Sequence, residues 1–224
     1  MSFIVAIDGP AGAGKSTVAR LVANQLEMAL VDTGAIYRCV ALRSLRECVA
    51  ADDSPRLALI AGQIRIEFQR QGDGQQVVCD GEDVTQAIRS PEVTRASSAV
   101  ASRPDVRQAL LELQRRLGRE APKGAVLEGR DIGTVVFPAA NAKFFLTASP
   151  EERARRRFEE LTAKGVQTTY ESVLTDQLAR DRDDETRLVA PLKPAADAVR
   201  LDTTGLAVDQ IVERIVAFVR HRMT

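Results

Sequence analysis

Residues Gly9-Pro10-Ala11-Gly12-Ala13-Gly14-Lys15-Ser16 fit the pattern G-x-x-x-x-G-K-[ST] in full. Glycines at these places let backbone N–H groups curl around phosphate oxygens, and the helix that follows adds the positive end of its dipole. Lys15 would reach the β- and γ-phosphates, and the Ser16 hydroxyl would ligate Mg²⁺. Such a motif works only between a buried strand and a helix. Residues 3–7 supply a continuous apolar, β-rich run, and residues 15–27 set Val18, Leu21, Val22 and Leu26 on one helical stripe. A phosphate-binding loop by itself does not separate a kinase from a GTPase, a motor or a nucleotide switch.

Two further groups must decide. Asp32-Thr33-Gly-Ala-Ile-Tyr37-Arg38 and Glu128-Gly-Arg130-Asp131-Ile-Gly133-Thr each follow a short apolar run, at 29–31 and 125–127. Both loops would emerge at the carboxyl edge of a parallel sheet, where ligands bind in open α/β folds. Taken singly, either is equally a surface arginine paired with aspartate. The run from Arg180 to Arg187, ending in Ala190-Pro191-Leu192, is dense in both signs and reads as a solvated helix with i,i+3 and i,i+4 pairs or as part of the site. Arg153, Arg155, Arg156 and Arg157 are a solvated helix face or a mobile cover over a transferring phosphoryl group. His221, the one histidine, reads as a helix-end residue and not as a catalyst.

The elements that must position these residues follow from periodicity. Apolar runs at 3–7, 29–31, 125–127, 143–146 and 198–201 alternate with helical segments, the pattern of five parallel strands in a βα-wound sheet. Ser90-Pro-Glu, Ser102 with Asp105, and Ser149-Pro-Glu-Glu152 carry helix-start signals, the last as a capping box. Val106, Leu110, Leu113 and Leu117 form an apolar stripe that leaves Arg107 free to face a cleft. A last helix over 208–221 would bury Val208, Ile211, Val212, Ile215 and Val219. Ile64, Ile66 and Phe68 alternate with polar residues, Gly72-Asp-Gly74 makes a turn and Val77-Val-Cys79 follows, which predicts a small hairpin insert over 62–85 standing apart from the main sheet.

Composition bounds the rest. At roughly 150 residues per domain, 224 residues suggest one core plus an insertion. The 31 Lys+Arg balance the 31 Asp+Glu, so no global field draws nucleic acid or an anionic membrane, and any anion must be held locally. Cys39, Cys48 and Cys79 are odd in number and in no metal-like pair, which reads as reduced thiols in a cytoplasmic protein without structural zinc. Residues 3–7 are too short for a signal-peptide core, and nothing approaches the ~18 apolar residues of a membrane span.

The phosphate loop, Thr33-Gly-Ala-Ile-Tyr37-Arg38, Glu-Gly-Arg130-Asp131-Ile-Gly-Thr and Arg180-Asp…Arg187…Ala-Pro-Leu, in this order, closely resemble the bacterial cytidylate kinase family over essentially the whole chain. The resemblance implies a P-loop α/β fold: a five-stranded parallel sheet of order 2-3-1-4-5 flanked by helices, with a small antiparallel β insert that enlarges the monophosphate site and a helical lid near 153–165. It implies transfer of the γ-phosphoryl of ATP to CMP or dCMP by a cytoplasmic monomer, with Mg²⁺ entering with ATP, no tightly bound organic cofactor, and neither nucleic acid nor membrane as partner. It assigns Lys15, Arg130 and Arg180 to catalysis and Gly9–Gly14, Lys15, Ser16, Thr17, Arg153 and Arg157 to ATP. Arg38, Arg130 and Arg180 would grip the acceptor phosphate, Tyr37, Asp184 and Arg187 would line the ribose pocket, and Ser98, Arg107 and Asp131 would contact cytosine. Thr33, which joins the CMP contacts, stands where many relatives have Ser, and Glu128 where many have Asp; both keep the functional group.

These residue types suit that reaction. A phosphate acceptor is mostly ionised at neutral pH, its second pKa being about 6, and needs no general base. Arginine forks grip phosphate oxygens bidentately without losing charge. The alternatives are a kinase for another nucleoside monophosphate or for an alcohol such as shikimate, with Asp8 or Asp32 as base, and a nucleotide switch or RNA module. The last pair lacks an N-K-x-D motif and any aromatic stacking platform, aromatic residues being 4% of the chain.

Overall fold

A computed structural model describes residues 2–72, 74–163 and 165–223. Asp73, at the centre of the expected 72–74 turn, and Lys164, within the expected lid, lie outside the described residues. In chain order the elements are β1 (Ile4–Asp8), α1 (Lys15–Leu26), β2 (Ala29–Asp32), α2 (Thr33–Arg46), α3 (Ser54–Gln63), β3 (Ile66–Gln71), β4 (Gly74–Cys79) and β5 (Glu82–Asp83). They continue with α4 (Pro91–Ala101), α5 (Pro104–Arg119), β6 (Ala125–Gly129), β7 (Ala142–Thr147), α6 (Pro150–Ala163), α7 (Tyr170–Thr186), β8 (Val199–Asp202) and α8 (Val208–Met223). A wide helical turn, Ile132–Val136, follows β6.

β2, β6, β1, β7 and β8 lie side by side in that order, every pair parallel. Numbered among themselves they read 2-3-1-4-5, as expected. β1 is buried along its length, and its side chains divide with the period of a strand: Ile4 and Ala6 enter one core with α2 and α5, while Val5 and Ile7 enter the other with α1 and α8. Three layers result, and the carboxyl ends of β1, β2 and β6 share one edge.

The insert is a separate antiparallel sheet, but of three strands, β3-β4-β5, because the turn at Asp80-Gly81 brings Glu82–Asp83 back onto β4. It does not stand wholly apart. Ile66, Val77 and Cys79 join the α2/α5 core, and the Gln75 amide donates to Leu30 O of β2 at 2.7 Å. Ile64 ends α3, a helix that periodicity passed over although Asp53 caps it and Pro55 follows.

Helix-start signals fare unevenly. Ser90 accepts from Val93 N, and Ser149 from Glu152 N. The Glu152 side chain does not close the capping box, since Arg155 and Arg156 engage it. Ser102 starts nothing: it ends α4 and donates to Ala99 O, while Arg103, extended before Pro104, precedes α5. Val208 opens α8 and is exposed, whereas Ile211, Val212, Ile215 and Val219 are buried.

The turn between β1 and α1 is pressed against its neighbours. Gly9 has φ 148°, and a Cβ there would stand 2.1 Å from Leu146 O of β7; Gly12 has φ 75°, and its Cβ would meet Arg153 Cβ at 3.0 Å. Gly9→Ala is therefore expected to lower the unfolding free energy by about 3 kcal/mol or more. Urea denaturation of both proteins checks this, and equal midpoints would show that the turn can shift away from β7.

Candidate active site

The Gly9–Gly14 turn ends with Gly14 in a left-handed conformation at the N-terminus of α1, where no side chain caps the helix. The first N–H groups thus stay available for an anion, and Ser16 and Thr17 lie exposed beside them. Lys15 is buried and donates to Pro10 O at 2.6 Å. Burial first, then the Arg130 guanidinium, pushes its ammonium far below the ordinary lysine value, against the pull of Glu128, Asp184 and Asp8.

The Asp32–Arg38 segment is not a loop but the first turns of α2. Asp32 caps it by accepting from Ala35 N at 2.8 Å and holds Arg38 in an ion pair at 2.8 Å. Thr33 donates to Glu128 O at 2.6 Å, joining the ends of β2 and β6. Tyr37 is buried, with the Arg107 guanidinium 5.3 Å above its ring, and burial raises its phenol pKa.

After β6 the chain is held by Asp8, which accepts from Ile132 N at 2.8 Å and Gly133 N at 2.7 Å. Burial raises the Asp8 carboxyl to about 6 even against those two donors. Asp131, thereby fixed, pairs with Arg107 at 2.5 Å, both side chains buried. This pair, Tyr37, Gln114, Val189 and Ala190 wall a cavity of about 60 Å³. Ser98 is exposed on α4 and is not among its walls.

Arg130 and α7 meet through Asp184, which accepts from Arg130 Nε at 2.8 Å and pairs with Arg187 at 3.4 Å. Burial would raise Asp184, but Arg130, Arg187 and Arg180 outweigh it and hold it below the ordinary carboxylate range. The Arg180 guanidinium makes no hydrogen bond or ion pair among the described residues. Burial, and then Arg130, lowers it to about 10, with Arg38 and Arg157 adding to the repulsion. Arg38 Nε and Arg187 Nη2 are buried without acceptors. Buried guanidinium donors of this kind suit an anionic oxygen as acceptor.

Two expected ATP contacts differ from the rest. Arg153 is buried at the base of α6, donating to Ala148 O and Ala11 O, each at 3.0 Å, and pairing with Asp181 at 2.7 Å. Its Nε and Nη1 groups are thus taken up by the protein and tie α6 to the phosphate loop. Arg157 pairs with Glu160 on the surface. Arg156 and Thr203, which carry no motif, meet beside the loop: Arg156 donates to Thr203 O at 2.7 Å and lies 4.0 Å from a Gly14 Cβ, while Thr203 reaches Ala13 O at 3.4 Å. One of four neighbouring arginines cannot be singled out by spacing. Glu128 is also buried; burial and then Asp32 raise its carboxyl, with Lys15 and Ser16 opposing. The Ser16 hydroxyl next to the Glu128 carboxylate is a hard-oxygen donor set that fits Mg²⁺.

Because folded Lys15 releases its proton more readily than the unfolded chain does, its cost to the ligand-free fold is in full force below about pH 7 and falls as pH rises from there toward 10.5. Lys15→Met is expected to raise stability by about 1 kcal/mol at pH 7, with the gain shrinking in alkali. Urea midpoints at the two pH values test it; a destabilised variant at pH 7 would show that Lys15 is held at no cost.

Comparison with known proteins places the whole chain in one family. The sequence profile described as cytidylate kinase matches residues 5–221. A protein named cytidylate kinase from Syntrophotalea carbinolica is 49% identical over 219 residues, 98% of this chain and 92% of that one. One of the same name from Geobacter sulfurreducens is 48% identical over 219 residues, 98% and 93% of the two chains. A solved Thermus thermophilus protein shares the fold, with TM-score 0.50 at 22% identity over 100% of this chain and 99% of its own. Matched along nearly its full length by profile and relatives alike, the chain belongs to the cytidylate kinase family.

Proposed function

We propose that the protein transfers the γ-phosphoryl group of ATP to CMP or dCMP, giving ADP and CDP or dCDP. One observation carries this reading: Arg130 lies beside Lys15, and Arg180 and Arg187 gather with it around Asp184, with Arg38 close to Arg180, next to a cavity walled by the buried Arg107–Asp131 pair. Family membership supports it.

The Gly9–Gly14 amides and Lys15 hold the donor phosphates, with Thr17 at the same helix end. Arg38, Arg130 and Arg180 hold the acceptor phosphate in line, and Tyr37, Asp184 and Arg187 border the ribose. Thr33 sets the floor of the acceptor pocket through Glu128 O. The attacking phosphate oxygen is already ionised near neutrality, its pKa being about 6, so the site needs no base. An alcohol acceptor would need one, yet Asp8 is engaged by two N–H groups and Asp32 by Ala35 N and Arg38. Mg²⁺, held by Ser16 beside Glu128, would neutralise charge on the β- and γ-phosphates. What remains is positioning and electrostatic stabilisation, the task of lysine and arginine forks. The protein is read as a monomer working in the cytoplasm, the compartment that suits three cysteines, odd in number and widely spaced. The 153–165 helix region acts as the lid, with Arg157 at its exposed face reaching ATP, and the 62–85 insert borders the monophosphate side.

Asp131 reads the base. Cytosine offers an amino donor where uracil offers a carbonyl acceptor, and the Asp131 carboxylate only accepts. The cavity beside Asp131 is where the pyrimidine ring would sit, walled by Tyr37, Arg107 and Val189–Ala190, with Ser98 of α4 as the further base contact. The wild-type enzyme is expected to favour CMP over UMP in kcat/KM by up to ~10⁴. Asp131→Asn, whose amide can donate to uracil, should narrow that ratio about ten-fold or more. Coupled ADP-release assays on folded protein decide; equal kcat/KM for CMP and UMP in the wild type would remove Asp131 from base reading. In the same assay Lys15→Met should lose kcat by ~10³ or more, and unchanged turnover would show that this loop is not the donor site.

A further inference from the structure

α7 presents two different faces to the site. Arg180, Asp184 and Arg187, at i, i+4 and i+7, look toward the acceptor arginines. Asp181, turned about 100° from Arg180 around the helix, is buried against Arg153 of α6, and Gln177, one turn before it, is also buried. On this second face Asp181 Oδ2 pairs with Arg153 at 2.7 Å, with 5% and 11% of the two side chains exposed. The same guanidinium donates to Ala11 O inside the phosphate loop and to Ala148 O beyond β7. Its Cβ fills the space where a Gly12 Cβ would stand. Asp181 Oδ1 and Gln177 Nε2 are buried without partners, so on this face the Arg153 contact carries the polar linkage between helix and loop. One rigid helix is thus joined to the donor loop through Asp181 and to the acceptor arginine Arg130 through Asp184.

We propose that Arg153 and Asp181 are positioning residues that couple the two nucleotide sites: filling the donor loop fixes Arg153, Arg153 fixes α7, and α7 sets Arg180 and Asp184 for the acceptor. Arg153 then acts on the acceptor through Asp181 and α7. The inference rests on the donor and acceptor reading above. A buried ion pair is suited to the task because losing either partner strands a charge, which makes the linkage all-or-none.

The test is calorimetric titration of the wild-type protein with CMP, alone and with a non-hydrolysable ATP analogue. The wild type should bind CMP about five-fold or more tightly when the analogue is present, the range of ordinary site-to-site coupling. In Asp181→Asn the factor should fall toward one, while CMP affinity without the analogue changes less than about two-fold. Arg153→Met and the double variant should show the same loss as Asp181→Asn, with no further loss when combined, as expected of residues acting as a unit. Arg153→Lys, which keeps the charge but not the fork, should retain part of the coupling and covers the case in which the methionine variant does not fold. A coupling factor in Asp181→Asn equal to that of the wild type would overturn the proposal, as would a wild type that binds both nucleotides without coupling. A wild type that binds neither nucleotide would instead overturn the functional reading.

Discussion

The constraint on which this structure depends is the confinement of many cations in one buried cleft. Lys15, Arg38, Arg107, Arg130, Arg180 and Arg187 converge although the chain as a whole carries no net charge. Low dielectric magnifies both their mutual repulsion and their attraction for phosphate. The proton affinities of Lys15 and Arg180 are lowered first by burial and then by that repulsion, Arg130 being the largest source in both cases. Carboxylates interleaved with the cations keep the cluster tolerable: Asp32 holds Arg38, Asp184 holds Arg130 and Arg187, and Asp131 holds Arg107. Compensation is incomplete, with Arg38 Nε and Arg187 Nη2 left without acceptors. The fold thus gives up stability to be preorganised for polyanionic substrates.

The parallel sheet makes the convergence possible. Parallel strands all deliver their carboxyl ends to one edge, and β1, β2 and β6 are neighbours there. Three local ties turn proximity into fixed geometry. Asp8 clamps the chain after β6, Thr33 joins β2 to β6, and Asp32 both starts α2 and aims Arg38. Asp8 also shows why burial alone does not describe such a group: desolvation raises its carboxyl to about 6, yet two short N–H donors make it the part of the site on which the Asp131 position rests.

Much of this was legible in order of residues, and for a physical reason. The phosphate loop, the five strands and the caps at Ser90 and Ser149 are local, each set by a few consecutive residues and their neighbours one turn away. Where local rules competed, they misled. Ser102 could serve either α4 or α5, and Pro104 settled the matter by forcing Arg103 into an extended conformation. The insert's third strand is two residues long, too short for any alternation to show. The four arginines at the start of α6 look alike in sequence, but one is buried against the phosphate loop, one packs beside Gly14 and Thr203, and two pair with surface glutamates.

By itself the chain's order of residues determined the strand–turn–helix that cradles phosphate, the α/β class with its parallel sheet, and which segments carry arginine at strand ends. These follow from backbone conformation and hydrophobic period, which act over a few residues. Only the tertiary structure decided the pairing of Arg130 with Asp184, Arg107 with Asp131 and Arg153 with Asp181, and hence which arginines stay open to a ligand and which hold the frame. Those partners are far apart along the chain, and nothing but the packing of α5 and α7 against the loops at the sheet's edge brings their charges within reach of one another.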